Sequence, residues 1–178
     1  MFRIARSVMI IVLSLFAMTA FAASDSTYRL GSGDVISINV FGEEDLSFKE
    51  LRLTDAGTLS FPFLGEVRAN GRTAAEVEQI IVNGLKGDYL IDPKVSVSIL
   101  EYREFFVNGE VKNPGGYPYK PGLTMRKAVA LAGGLTERAS ENKMFVIRDE
   151  DTSRTPRKAN MDSQINPGDI ITIEQSFF

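Results

Sequence analysis

Gly33-Asp34-Val35-Ile36-Ser37-Ile38 returns, with conservative changes, as Gly168-Asp169-Ile170-Ile171-Thr172-Ile173. One copy lies early in the chain and the other closes it. Each places a Gly-Asp turn ahead of an alternating β-branched run. Glycine admits backbone angles closed to other residues, and branched side chains suit a pleated surface. Side chains alternate along a strand, so Ile36 and Ile38 share one face while Ser37 and Asn39 take the other. In the second copy Ile171 and Ile173 share a face, with Thr172 opposite. Whatever fold forms must bury two such faces, more than 130 residues apart in sequence.

The N-terminus reads as a secretory signal. Arg3 and Arg6 precede an apolar stretch from Val8 to Met18, and Ala20-Phe21-Ala22 supplies small residues at the −3 and −1 positions. Cleavage is expected between Ala22 and Ala23. The alternative is an uncleaved anchor, but a spanning helix needs about 20 apolar residues. Removal of the signal lowers Lys+Arg from 20 to 18 against 23 Asp+Glu, and the net charge falls from −3 to −5.

An exported, mildly acidic chain without a basic run is unsuited to binding nucleic acid. It contains no Cys and no His. Disulfides, cysteine-linked lipid, Ser-His-Asp or Cys-His machinery and the common zinc sites are therefore excluded. No cofactor motif is present. About 155 mature residues suffice for one medium domain or two small ones.

The pattern favours two, both α+β. After the strand at 35–40, Glu43-Glu44-Asp45 interrupts. Leu51 and Leu53 then alternate with polar residues, Asp55-Ala56-Gly57 turns, and Leu59 and Phe61 alternate again, which predicts strand-turn-strand ended by Pro62. Asn70-Gly71 leads into a helix capped by Thr73, with Glu76 completing a capping box. Val77, Ile80, Ile81 and Leu85 form its apolar stripe, and Gly84 or Gly87 marks its end. A strand at 95–99 follows, and the first module ends near Tyr102.

The second module opens with a strand over 104–111. Asn113-Pro114-Gly115-Gly116 turns, and Tyr117 to Tyr119 is expected as a short returning strand. Thr124 caps a second helix, with Leu123 and Ala128 as a hydrophobic staple. Met125, Ala128, Val129 and Ala132 point inward, Arg126 and Lys127 outward, and Gly133-Gly134 stops the helix. A strand over 144–147, a charged hairpin or loop over 149–158 and the strand at 170–173 complete a ββ-α-ββ order, that of a β-grasp domain.

Tyr28 to Ile36 (YRLGSGDVI), Val40-Phe41-Gly42 and Gly57 to Gly65 (GTLSFPFLG) resemble the polysaccharide biosynthesis/export domain. So do Gly71-Arg72-Thr73 and Asp92-Pro93-Lys94-Val95. Val107-Asn108-Gly109-Glu110-Val111, Pro114-Gly115 and Ala130-Leu131-Ala132-Gly133-Gly134-Leu135 are similar to the soluble-ligand-binding β-grasp (SLBB) domain that follows it. The resemblance implies a signal over 1–22, an export domain over 23–102 and an SLBB domain over 103–178. It implies a non-enzymatic part of a Gram-negative machine for capsule or exopolysaccharide, in the periplasm and associated with the outer membrane. The implied partners are further copies of the chain in a ring, an inner-membrane polysaccharide co-polymerase, a separate outer-membrane protein and the polysaccharide itself. Ala23 stands where larger members carry a lipid-bearing Cys, and the chain ends five residues after Ile173 rather than in a membrane-crossing helix. A short form without either anchor is the expectation.

The remaining candidate residues each admit two readings. Asp34 and Asp169 could act as acid and base on a glycosidic bond, or cap their turns by accepting backbone N–H groups. Tyr117 and Tyr119 could stack on sugar, or serve packing or subunit contact. Asp149-Glu150-Asp151 could offer oxygens to Ca²⁺, or lie solvated in a hairpin. Arg126 and Lys127 are candidate subunit contacts on a solvated face, and Phe177-Phe178 could dock a partner or cover a strand. A secreted glycan- or ligand-binding β-grasp module outside any channel is the competing function.

Overall fold

The computed structural model describes residues 28–176. The expected signal sequence, its cleavage point at Ala22-Ala23 and the Phe177-Phe178 tail lie outside the described residues.

In the first half, β1 (Val35–Val40) is the centre of a three-stranded antiparallel sheet. It is flanked by β2 (Phe48–Arg52) and β5 (Val95–Glu101). Ile36 and Ile38 are buried and Asn39 is exposed, so the alternation in the sequence is the alternation of the sheet. A one-residue slip of register would exchange those faces and expose side chains worth about 2 kcal/mol each on burial. Glu44–Leu46 forms a short 3₁₀ turn at the break.

Helix α1 (Ala74–Leu85) begins at Thr73 with both halves of a capping box in place. The Glu76 N–H donates to the Thr73 hydroxyl at 3.2 Å, and the Thr73 N–H donates to the Glu76 carboxylate at 2.8 Å. Val77, Ile81 and Leu85 are buried against the β1 sheet, while Ile80 is only half-buried. The helix runs through Gly84, where a Cβ would sit 2.7 Å from the Leu64 side chain, and stops before Gly87.

The strand, turn and strand expected before Pro62 are present, but the two strands do not pair with each other. The turn at Asp55–Gly57 does not join two strands of one sheet. β2 pairs with β1, whereas β3 (Thr58–Phe61) pairs with β4 (Gly65–Arg68) in a separate hairpin across Pro62-Phe63-Leu64. Leu59, Phe61 and Val67 turn the buried face of that hairpin to the same core.

The second half is a five-stranded mixed sheet in the order β7-β6-β10-β8-β9. Its strands are β6 (Phe105–Gly109), β7 (Gly115–Tyr117), β8 (Ala139–Ile147), β9 (Arg157–Ala159) and β10 (Ile170–Gln175). β10 runs parallel to β6 and antiparallel to β8. Helix α2 (Met125–Leu131) lays Met125, Ala128 and Val129 onto Phe105, Val107, Met144, Ile171 and Ile173. The returning strand lies two residues earlier than expected: Gly115 and Gly116 are inside it and Tyr119 is beyond it. The small residues let the chain re-enter the sheet directly after Pro114. Of the two readings of 149–158, hairpin or loop, the structure shows the hairpin: its far side carries the start of β9, which pairs antiparallel with β8, so the order is ββ-α-βββ.

Gly109 shows why glycine is required at one of these positions. Its φ is +85°, and a Cβ there would lie 2.0 Å from the Ile173 carbonyl oxygen. Any side chain would break the parallel β6–β10 pairing at its end.

Candidate functional site

The two Gly-Asp turns share one hydrogen-bond plan. In Gly31-Ser32-Gly33-Asp34 the Gly31 N–H donates to Asp34 Oδ2 at 2.8 Å, and in Asn166-Pro167-Gly168-Asp169 the Asn166 N–H donates to Asp169 Oδ2 at 2.7 Å. The Asp N–H returns to the first carbonyl at 3.3 and 3.2 Å respectively. Each turn is then tied to a neighbouring strand. The Gly33 N–H donates to the Leu53 carbonyl and the Asp34 carbonyl accepts from the Leu53 N–H, so two consecutive residues oppose one, as in a β-bulge led by a left-handed glycine. Gly168 donates to the Glu104 carbonyl while Asp169 accepts from the Phe106 N–H, straddling one residue in the parallel manner.

Both carboxylates are fully buried, and both are met by a guanidinium. Arg148, at the end of β8, donates from Nη1 to Asp169 Oδ2 at 2.5 Å. The Asp149 N–H reaches Oδ1 at 3.3 Å. Burial nonetheless raises the Asp169 pKa above its ordinary 3.8, with the Asn166 N–H and Arg148 opposing. Asp34 is met from across the junction between the halves. The Arg103 N–H donates to its Oδ1 at 2.8 Å and Arg103 Nη1 lies 3.3 Å from Oδ2. The Tyr28 hydroxyl donates to the same Oδ2 at 2.7 Å. Burial and that hydrogen bond hold the Tyr28 phenol far above its ordinary pKa of 10.0.

Arg103 has a second partner. Its Nε and Nη2 converge on Asp149 Oδ2 at 3.0 and 2.9 Å, so one side chain 16% exposed spans a carboxylate from each half. Three aromatic rings cross the same boundary edge to face, Tyr28 to Tyr102 at 4.8 Å and Tyr102 to Tyr119 at 5.4 Å. Gly31 and Gly168 make room for this joint. A Cβ on Gly31 would lie 2.5 Å from Arg103 Nη1, and one on Gly168 would lie 2.5 Å from Asp149 Cγ.

Above the joint lies an open groove of about 1140 Å³ that draws its walls from both halves. Its cationic side chains are Arg29, Arg52, Arg103 and Lys120. Its acidic ones are Glu101, Glu104, Asp149 and Glu150. The charges balance, so the groove has no net sign with which to attract a polyanion. Tyr119 and the outward face of Phe106 add apolar surface.

The sequence-derived candidates fall into three groups. Gly33, Asp34, Gly168 and Asp169 form the paired turns, and Tyr119 lines the groove beside them. Tyr117 packs on Phe105 and donates its hydroxyl to the Asn113 carbonyl, away from the groove. Gly57, Gly65, Pro93, Gly109, Pro114, Gly115, Gly133 and Gly134 are distributed through turns and strand ends without gathering at a site. Arg126 and Lys127 are exposed on α2; Arg126 pairs with Asp162 at 3.3 Å and Lys127 donates to the Gly122 carbonyl at 2.8 Å. Within the 149–151 run, Asp149 is spent on Arg103, and Asp151 on Ser153 and Arg157. No group of acidic residues among the described residues is arranged to hold a metal ion.

Sequence reasoning passed over Arg103, Arg148, Tyr102 and Phe106. The first two are single charges with no local pattern. Phe106 did carry a signal, because in the Phe105-Phe106 pair of a strand one ring must face outward.

The family model described as polysaccharide biosynthesis/export protein matches residues 22–100, and the SLBB domain model matches 105–157. The chain belongs to the polysaccharide biosynthesis/export family and carries an SLBB domain. The joint at Arg103 thus falls in the short interval between the export and SLBB matches. Among curated relatives, the exopolysaccharide production protein ExoF of Rhizobium meliloti is 38% identical over 148 residues, covering 76% of this chain and 34% of that protein. The EPS I polysaccharide export outer membrane proteins EpsA of Ralstonia nicotianae and Ralstonia solanacearum are 27% and 28% identical, covering 86% and 85% of this chain and 49% of each of theirs. The chain therefore spans between a third and a half of the length of these export-family relatives. Their descriptions are of production and export proteins rather than enzymes. Among the described residues no helix is long and apolar enough to cross a membrane.

Proposed function

We propose that the chain is a non-catalytic component of a capsule or exopolysaccharide export apparatus. It acts in the Gram-negative periplasm, in association with the outer membrane, and passes polymer outward. Residues 23–102 and 103–178 are its two domains. It works with further copies of itself in a ring, with an inner-membrane polysaccharide co-polymerase and with a separate outer-membrane protein.

The observation that carries this reading is the succession of export and SLBB matches along one chain, shared with relatives named for exopolysaccharide export. The fold supplies physical support. β2 and β5 bound one sheet and β7 and β9 the other, so each half leaves strand edges that a neighbouring copy can cover. A head-to-tail contact of that kind closes into a ring around a passage. The absence of catalysis is supported by the chemistry of the two turns, whose aspartates spend both oxygens on N–H and guanidinium donors.

The test is deletion of the gene together with mass measurement of the purified protein. Surface polysaccharide is expected to vanish on deletion and return with the wild-type gene, and light scattering is expected to give a multiple of the chain mass. Unchanged surface polymer overturns export. A monomer in solution and in cross-linked, actively exporting cells overturns the ring and favours a solitary glycan-binding module.

A further inference from the structure

We propose that Phe106 is the floor of a saccharide-binding subsite in the groove between the two halves, with Glu104 and Lys120 as its hydrogen-bonding walls. Phe106 is 44% exposed although it sits in the middle of a sheet, on the face away from the core. Its ring lies against Gly116, its partner across the β6–β7 ladder, where a Cβ would meet ring carbons at 3.1 and 3.4 Å. The same Cβ would meet the Glu104 carboxylate at 2.6 Å. Gly116 is therefore the bare patch against which both side chains rest. Its φ is not one that demands glycine, so a missing side chain rather than an unusual turn is the feature at this position.

A flat aromatic face covers the C–H surface of a pyranose, and flanking polar groups take up its hydroxyls. Among the described residues, Glu104, Lys120 and Glu150 spend no side-chain hydrogen bond or ion pair on the fold, although all three line the groove. Acceptors and a donor of opposite charge lining one groove suit a ligand rich in hydroxyls, each of which both donates and accepts. The groove is open and slightly exceeds the ~300–1,000 Å³ of small-molecule sites, which fits a short run of a longer chain rather than an enclosed small ligand. Its balanced charge fits a neutral or sparsely charged polymer.

This proposal rests on the export reading for the identity of the polymer, and the experiment separates the two. The probe is a partial acid hydrolysate of the exopolysaccharide made by the encoding strain, sized to hexa- to decasaccharides. It is titrated against the wild-type protein by saturation-transfer NMR and calorimetry. Binding is expected, weakened about five- to tenfold by Phe106→Ala and several-fold by Lys120→Ala. Gly116→Ala should weaken it as well by displacing Phe106 and Glu104. Tyr89→Ala, which removes one ring of the exposed stacked Phe63–Tyr89 pair, should leave affinity unchanged. Unaltered circular dichroism and Tm establish that each variant is folded. No binding by the wild type, or equal affinity in Phe106→Ala, overturns the subsite. Loss of export on gene deletion alongside either result leaves the export reading standing, so the two fail separately.

Discussion

The turn before β1 and the turn before β10 hold an aspartate in the same local frame, yet the cation that answers each one comes from a different part of the molecule. Asp169 is met by Arg148, at the end of the strand that pairs with β10, so its charge is neutralised inside one sheet. Asp34 is met by Arg103, 69 residues away at the junction, and Arg103 also grips Asp149 in the other half. One turn closes a sheet; the other has become a joint. A repeated local motif thus fixes a backbone conformation, while its mechanical role depends on where its charge finds a partner. The groove lies over the joint, so the rigidity of that joint governs the relative placement of the groove walls.

The largest effect should come from Arg103→Ala. Removing one partner of a buried pair leaves the other charge uncompensated, which costs about 3 kcal/mol. It also releases Asp149, so the two halves should cease to unfold together. Calorimetry is expected to show one transition for the wild type and two for the variant. Arg103→Lys, which keeps the charge but not the planar fork, should recover only part of the loss. A single transition shifted by less than about 1 kcal/mol would mean that the aromatic ladder alone holds the halves together.

Arg148→Ala strikes the other turn and should cost somewhat less, about 2 kcal/mol at neutral pH, since Arg148 is the more exposed of the two guanidinium groups. Its pH dependence is the sharper test. Asp169 has a raised folded pKa, so the stability linked to it is fully present below its ordinary 3.8 and is lost as pH rises through the folded value. Without Arg148 that value rises further, and the loss extends to higher pH. The gap between variant and wild type in urea melts should therefore be small in acid and widen towards neutrality. The bond from Arg148 to the Gln164 carbonyl, at 2.9 Å, leaves a residue of the effect at every pH. A gap independent of pH would show that Arg148 acts through Gln164 and not through Asp169.

Legibility in the sequence followed the range of the interaction. β1, β10, α1 and α2 could be read from alternation, a capping box and a staple, because each signal is complete within a few residues. β4 could not, since Gly65-Glu66-Val67-Arg68 has one apolar residue and no period to detect. β9 is three residues long, two of them cationic. The pairing of β2 was hidden for the same reason: alternation identifies a strand but not its neighbour, and β2 lies against β1 rather than β3. At the candidate site the glycines and aspartates were visible and their partners were not. Nothing local links Arg103 to Asp34, and only the folded chain brings the guanidinium, the two carboxylates and the three tyrosine rings together. The groove above them is built from both sides of that junction, so it was illegible for the same reason.

Tyr28→Phe should have a smaller effect on the joint. It deletes one of the donors to Asp34 and leaves the ring packed edge to face on Tyr102, so a loss of about 1 kcal/mol is expected. The raised phenol gives an independent readout. A phenol that ionises only far above 10 preserves its share of stability below that value and surrenders it as the pH climbs through the folded pKa. In an alkaline titration followed by phenolate absorbance, the wild type should hold back a late-titrating tyrosine that Tyr28→Phe lacks. Identical titration curves would place the Tyr28 hydroxyl in contact with water.

The smallest effect marks the lower end of the comparison. Arg126 and Asp162 also form an ion pair, at 3.3 Å, but 65% and 86% of their side chains are exposed. Water screens such a pair, and ordering two long side chains offsets most of what remains. Arg126→Ala should therefore change the stability of the isolated chain by less than about 0.5 kcal/mol. That near-neutrality makes the variant useful for the proposed ring. If α2 presents its solvated face to a neighbouring copy, Arg126→Ala, and more strongly Arg126→Glu, should lower the mass measured by light scattering while Tm at a concentration favouring the monomer stays fixed. If the face is merely solvated, neither mass nor Tm moves. A large fall in monomer stability would contradict both readings, because it would require the exposed pair to behave like the buried ones at Asp34 and Asp169.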